Sequence, residues 1–250
     1  MEYFSFGSGE RPFVMIPGAS VTSVMPAEAA VSARYIQYGQ TYTFYLFDYG
    51  QEMNRGDTPT VVADRIASQM EQLGLTGADV LGCSLGGMIA QNLAIRHPAL
   101  VRKLVLGATI PENNEISRAV FEKWQALADS GNVVGLNRCV QEKVYSPAYY
   151  RQYRDAFAAQ ETAGTPEDLL HFSAQMDGCL SVDCYDEIEK IQCPVLVVGS
   201  WQDATLGYVG SIQIAEKLHC ELILCASYGH AVFDESPDFI PRIMEFCMKD

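Results

Sequence analysis

The stretch Val80-Leu81-Gly82-Cys83-Ser84-Leu85-Gly86-Gly87-Met88 sets a serine between two glycines, each two residues away. Before it, Val80-Leu81 reads as the end of a buried strand. After it, residues 85–96 read as a helix closed by His97-Pro98. A serine on so sharp a strand-to-helix turn takes a strained backbone, and side chains at the flanking positions would strike the neighbouring strand or helix. The strain leaves the hydroxyl exposed at the sheet edge. The helix that begins behind it offers unpaired N–H groups and the positive end of its dipole to a developing oxyanion. Gly-x-Ser-x-Gly spacing also occurs in ordinary glycine turns. The strand and helix on either side raise it here to a nucleophile elbow.

Outward from this turn the chain alternates between two periodicities. Residues 3–6 read as an edge strand and 13–16 as a short buried strand stopped by Pro17-Gly18. A helix is expected over 26–36, and a strand rich in β-branched and aromatic residues over 41–47, ended by Asp48-Tyr49-Gly50. Val61, Val62, Ile66, Met70 and Leu73 then recur every three or four residues, one face of an amphipathic helix with Asp57 or Thr58 as cap and Gly74 as stop. A strand follows at 101–106. The rhythm resumes with strands at 194–198 and 221–225 and helices at 210–218 and 237–248. Alternation of this kind predicts an α/β fold with a mostly parallel sheet covered on both faces. Residues 111–189 interrupt it without a convincing strand. Helical patterns such as 119–127 and 149–160 are divided there by Gly131, Gly135, Pro147, Gly164 and Pro166. The expected organisation is a core of residues 1–110 and 190–250, with a helical lid of residues 111–189 entered after the fifth or sixth strand.

Composition narrows the function. A length of 250 residues suits one α/β domain carrying an insertion, and 48 % apolar with 19 % charged residues is the balance of a globular chain. Acidic residues outnumber basic ones 31 to 17, a formal charge of −14. Such a surface repels phosphate, which argues against nucleic acid and against anionic membranes as partners. No segment approaches the roughly 20 continuous apolar residues of a membrane span. The N-terminus lacks a basic start followed by an apolar run, so a cytoplasmic location is expected. Eight cysteines without a Cys-x-x-Cys pair, and only four histidines, give a zinc cluster little to build on; they read as buried reduced thiols.

The chain resembles the α/β-hydrolase fold family over most of its length outside the insertion. The elbow carries the resemblance. So do Met88-Ile89-Ala90-Gln91 running on to His97-Pro98, then Val101-Arg102-Lys103-Leu104-Val105-Leu106, and Leu46-Phe47-Asp48 before the preceding helix. It implies a triad in the chain order serine, acid, histidine. Asp203, at the end of Val197-Val198-Gly199-Ser200-Trp201-Gln202-Asp203, stands where the family places its acid, although an aspartate there also suits a helix cap. Glu112 is a rival position for the acid, and Asp177, Asp183 and Asp186 are poorer ones. His230, in Gly229-His230 after the last strand, is the implied base, while His97, His171 and His219 suit structural roles. The oxyanion donors implied are the backbone N–H groups of Ala19 and Leu85. Many relatives have His-Gly before the first of these; Pro17-Gly18 here removes an imidazole that props the loop.

Together these residues specify acyl transfer from a small-molecule acyl substrate by Ser84, with His230 as base and Asp203 fixing its tautomer. Serine at the elbow, rather than aspartate, argues against dehalogenase and epoxide hydrolase chemistry. No metal or organic cofactor is needed. A histidine base predicts activity that declines as pH drops below about 6 to 7. Small ester, lactone and enol-lactone hydrolases share the pattern, as do carbon–carbon bond hydrolases and ligand sensors built on the fold. Aromatic residues of the insertion either line a pocket or pack the lid on the body, and Arg118, Arg138 and Arg151 are the cations that would offset the acidic surface near it. Oligomeric state is not legible.

Overall fold

A computed structural model describes residues Met1–Lys249. In chain order the first half runs β1 (Glu2–Gly7), β2 (Arg11–Ile16), α1 (Glu28–Tyr35), β3 (Tyr42–Asp48), α2 (Pro59–Gln72), β4 (Ala78–Cys83), α3 (Leu85–Arg96) and β5 (Val101–Gly107). Five helices follow without a strand: α4 (Glu115–Asp129), α5 (Val133–Val144), α6 (Pro147–Gln152), α7 (Arg154–Gln160) and α8 (Pro166–Leu180). The chain then closes with β6 (Val195–Ser200), α9 (Val209–Leu218), β7 (Glu221–Cys225), α10 (Val232–Glu235) and α11 (Phe239–Met248).

The strands form one sheet in the order β1-β3-β2-β4-β5-β6-β7. β1 pairs antiparallel with β3 and all other neighbours are parallel. Parallel neighbours require crossovers, and helices that cross over a sheet cover its faces, so inner strands become buried on both sides. β4 and β6 are buried at every position, whereas the edge strands β1 and β7 keep exposed ones. On one face Val14, Phe47, Val80 and Leu104 pack with α2 and α3; on the other Phe13, Phe44, Leu81, Val105 and Leu196 pack with Ile243, Met244 and Cys247 of α11. The α/β architecture expected from the alternation is the observed one.

Local chemistry sets the element ends. Of the two residues expected to cap α2, Thr58 does so, accepting from the Val61 N–H ahead of Pro59, and Gly74 leaves the helix at φ +70°. Asp57 instead binds the Arg65 guanidinium at 2.6 Å. The excursion follows the fifth strand. Its expected helix over 149–160 is two helices, because Tyr153 leaves helical geometry at φ −108°, ψ 18°. α8, which the divided pattern did not resolve, is held at its start by a reciprocal Thr165–Asp168 capping box and packs on α4. The one strand-like contact of this region among the described residues is an isolated bridge between Glu112 and Asp183. All eight cysteines are free; Cys83, Cys179, Cys184 and Cys247 are buried and the other four half-buried. Among the described residues no helix is long and apolar enough to cross a membrane.

Candidate active site

From β2 the sheet grows one way to β3, and from β4 the other way to β7. β2 and β4 lie side by side, with Ile16 opposite Gly82, so the loops leaving their carboxyl ends diverge from a common crevice. Ser84 is the first residue past β4, at φ 53° and ψ −121°, a conformation non-glycine residues avoid. The glycines around it are demanded by contact. A Cβ on Gly82 would lie 2.4 Å from the Gly86 carbonyl oxygen, one on Gly86 2.0 Å from that of Ile16, and one on Gly87 2.5 Å from the Thr109 Cβ. The turn is fastened by the Ser84 N–H donating to Gly107 O at 2.9 Å and by the Thr109 hydroxyl donating to Ser84 O at 2.8 Å. Gly86→Ala therefore forces α3 away from β2. Its urea midpoint is expected to fall by the equivalent of about 2 kcal/mol, as over-packed cores do. A midpoint equal to the parent's would show that the crevice can relax.

His230 comes from the turn between β7 and α10 and is 2 % exposed; Asp203 follows β6. His230 Nε2 lies 2.9 Å from Ser84 Oγ, and its Nδ1 lies 2.8 Å from Asp203 Oδ2. With the ring proton on Nδ1, that nitrogen donates to Asp203 and Nε2 accepts from the Ser84 hydroxyl. The other carboxylate oxygen of Asp203 accepts from the N–H groups of Thr205 and Leu206, both at 2.8 Å. Asp203 caps no helix, since the next one, α9, begins at Val209 with Tyr208 before it; this second oxygen instead holds the loop after β6.

The rival residues go elsewhere. Glu112 sits in the bridge to Asp183 and accepts from Gln213. Asp177 binds Arg55, Gln125 and the Gly56 N–H, and Asp186 is exposed beside Lys217. His97 meets Asp64, His171 meets Met53 O, and His219 ends α9 in a left-handed conformation. Cys83 is buried, and desolvation holds its thiol well above the usual range, so it stays neutral beside the serine. Ala19 and Leu85 stand on the two sides of the crevice, Leu85 as first residue of α3. Gly18 lies so close that a Cβ there would be 3.2 Å from the Ser84 Cβ. Among the described residues neither the Ala19 nor the Leu85 N–H has an acceptor within the protein.

Residues 12–237 match the family model described as the alpha/beta hydrolase fold. The chain belongs to the alpha/beta hydrolase fold family. It is 26 % identical over 204 residues, 76 % of each chain, to a protein of Rhizobium rhizogenes provisionally named carbamate hydrolase RutD. It is 28 % identical over 200 residues, 71 % of this chain and 72 % of the other, to the pimeloyl-acyl-carrier-protein methyl ester esterase of Neisseria meningitidis serogroup B. Among solved structures it superposes on the alpha/beta hydrolase MGS-M2, from a Medee basin deep-sea metagenome, with a TM-score of 0.87. That match has 18 % identity and covers 100 % of this chain and 94 % of the other. The protein is accordingly an alpha/beta-fold hydrolase.

In this alpha/beta hydrolase a cavity of about 510 Å³ lies on the Ala19 side of the crevice; Ser84 and His230 are not in its wall, which meets them through Gly18, beside the Ser84 Cβ, and Phe233, beside the His230 ring. The loop from Gly18 to Thr22 forms one wall; Val140, Val144, Tyr145, Phe157 and Phe172 from the inserted helices, with Phe233, form much of the rest. The Phe233 ring meets His230 edge-on. Of the insertion's aromatics, then, three line the space, while Phe121 and Trp124 are core residues and Tyr149 and Tyr150 stack around Tyr145 and Phe157. The expected cations do not reach it. Arg138 is bound to Glu161 at 2.7 Å, Arg118 and Arg151 are exposed, and Asp234, paired with Arg34, is the charged residue in the wall.

The insertion is fastened to the site loops. The Thr205 hydroxyl donates to Lys143 O at 3.0 Å and the Ala231 N–H to Val144 O at 2.9 Å. Glu235 accepts from the Ser146 N–H and hydroxyl and from the Gly229 N–H. The sequence reading missed Thr109, Tyr49 and Gln175. The Tyr49 hydroxyl donates to Pro17 O at 2.7 Å, and Gln175 binds both backbone groups of Ser20. The one available signal was a glutamine between the small and apolar residues of Phe172-Ser173-Ala174-Gln175-Met176.

Proposed function

We propose that the protein is a serine hydrolase that cleaves a small carboxylic ester or lactone through an acyl-enzyme on Ser84. The observation that supports it is the continuous hydrogen-bonded run from Ser84 Oγ through His230 to Asp203, at 2.9 and 2.8 Å, beside two unpaired N–H groups and a cavity of mixed apolar and polar lining. Relatives named as a methyl ester esterase and a carbamate hydrolase act on carbonyl carbons bearing a heteroatom leaving group, which suits the same machinery. Residues 111–189 serve as a lid on a core of 1–110 and 190–250.

In this mechanism Ser84 Oγ attacks the carbonyl carbon as His230 Nε2 takes its proton. The imidazolium is stabilised by Asp203. The N–H groups of Ala19 and Leu85 receive the tetrahedral oxyanion, each donor contributing about 3 kcal/mol where such donors have been removed. His230 then protonates the departing alkoxide, the carbonyl re-forms as the acyl-enzyme, and water repeats the sequence to release the acid and free serine.

The cavity volume suits a small ligand, and no lysine or arginine lines it. 4-Nitrophenyl acetate and butyrate are expected to be hydrolysed with many turnovers per molecule. The hemisuccinate ester, with a carboxylate to desolvate without a cation, should be used with kcat/KM about tenfold lower or worse. A single burst with retained product would favour a ligand sensor instead, and preference for the hemisuccinate would refute the neutral-substrate reading.

A further inference from the structure

The donor at Ala19 sits on a loop that must be held still, because an oxyanion hole works by having its dipoles in place before charge develops. The residue before Gly18 is Pro17, which has no side-chain donor or acceptor with which to brace the loop. Ala19 is bracketed instead by two buried side chains. On its N-terminal side the Tyr49 hydroxyl donates to Pro17 O at 2.7 Å. On its C-terminal side the Gln175 carboxamide grips Ser20 twice: Oε1 accepts from the Ser20 N–H at 2.9 Å, and Nε2 donates to Ser20 O at 3.0 Å. This is the donor–acceptor pairing a neighbouring β-strand would offer, made by one side chain. Nε2 also reaches Gly50 O at 3.4 Å. Gly50 is part of the arrangement, since a Cβ there would stand 3.0 Å from Nε2 and 3.3 Å from Oε1. Gln175 is 1 % exposed, so a buried amide with both ends engaged leaves the loop few alternatives of equal energy.

We propose that Gln175, with Tyr49, is a positioning residue for the oxyanion hole: a residue of the inserted helix α8 sets where the Ala19 N–H stands. The inference rests on the hydrolytic reading of Ser84. It makes the insertion part of the transition-state machinery rather than a cover alone.

Interactions made only in the transition state change kcat and leave KM nearly untouched. The test compares Gln175→Met, which keeps length and loses all three hydrogen bonds, with Gln175→Glu, which keeps an acceptor and turns it on two carbonyls. Tyr49→Phe, which deletes one hydroxyl, is the third variant. With 4-nitrophenyl butyrate, kcat is expected to drop about 10- to 100-fold in the Gln175 variants and about 10-fold in Tyr49→Phe, with KM changed less than about threefold. Affinity for a trifluoromethyl ketone, whose hemiketal carries the oxyanion, should weaken by the same factors. A purely structural tie would lower the melting temperature and leave kcat and ketone affinity where they were; that result overturns the proposal, as does a change confined to KM. Should the Gln175 variants fail to fold, Tyr49→Phe decides alone by the same criteria. No Ser84-dependent turnover in the unaltered protein would overturn both readings, whereas undiminished Ser84-dependent turnover in the variants overturns the positioning role only.

Discussion

Ser84→Ala is expected to lose about a million-fold in kcat for 4-nitrophenyl butyrate and all labelling by a fluorophosphonate, while folding normally. The size follows from the lack of a substitute. Ser84 Oγ is the hydroxyl 2.9 Å from His230 Nε2. The neighbouring Cys83 is buried as a neutral thiol, and the Thr109 hydroxyl is engaged with Ser84 O. Labelling that persists in the variant would place the nucleophile elsewhere. Backbone strain supplies an independent check. At φ 53°, ψ −121° a Cβ is unwelcome, so Ser84→Gly should be more stable than Ser84→Ala by about 1 kcal/mol. Equal melting temperatures would mean that the elbow stores no strain.

Asp203→Asn is expected to lower kcat about ten-thousand-fold with almost no change in stability. The two halves of that expectation come from the two oxygens. An asparagine amide oxygen can still accept from the N–H groups of Thr205 and Leu206, so the loop keeps its shape. The amide nitrogen, now facing His230 Nδ1, donates where the carboxylate accepted. That holds the ring proton on Nε2, pointing at the serine, and a protonated Nε2 cannot remove the hydroxyl proton. Asp203→Ala should be as slow but less stable by about 1–3 kcal/mol, because two loop N–H groups lose their acceptor. An asparagine variant within tenfold of the parent would show that the histidine is oriented by something other than Asp203.

What was legible in the sequence follows the range of the interactions responsible. The elbow could be read because its requirements are local: glycines at 82, 86 and 87 answer to contacts within one strand–turn–helix unit and its immediate neighbours. The alternation that predicts the sheet is equally local, and Asp203 and His230 were nominated through the family resemblance, which sets an acid and a histidine after those two strands. The break at Tyr153 was not legible, since neither glycine nor proline marks it. Nor were the contacts of Gln175, Tyr49 and Thr109. Gln175 lies 155 residues from the Ser20 groups it binds, and no periodicity encodes a pairing at that separation. The cavity wall has the same origin: which aromatics face it depends on how α5, α7 and α8 settle on the sheet.

The turn from Lys143 to Ser146, bound on one side to Thr205 and on the other to Ala231 and Glu235, has a consequence for biosynthesis. The chain leaves the ribosome amino end first, at about 5–20 residues per second. This turn and helix α8 are therefore made before the segments that carry Asp203 and His230. The carbonyl groups of Lys143 and Val144 are thus synthesised before the hydroxyl and N–H that donate to them. A nascent chain stopped short of Thr205 therefore carries the acceptors of these ties but none of their donors from the two site loops.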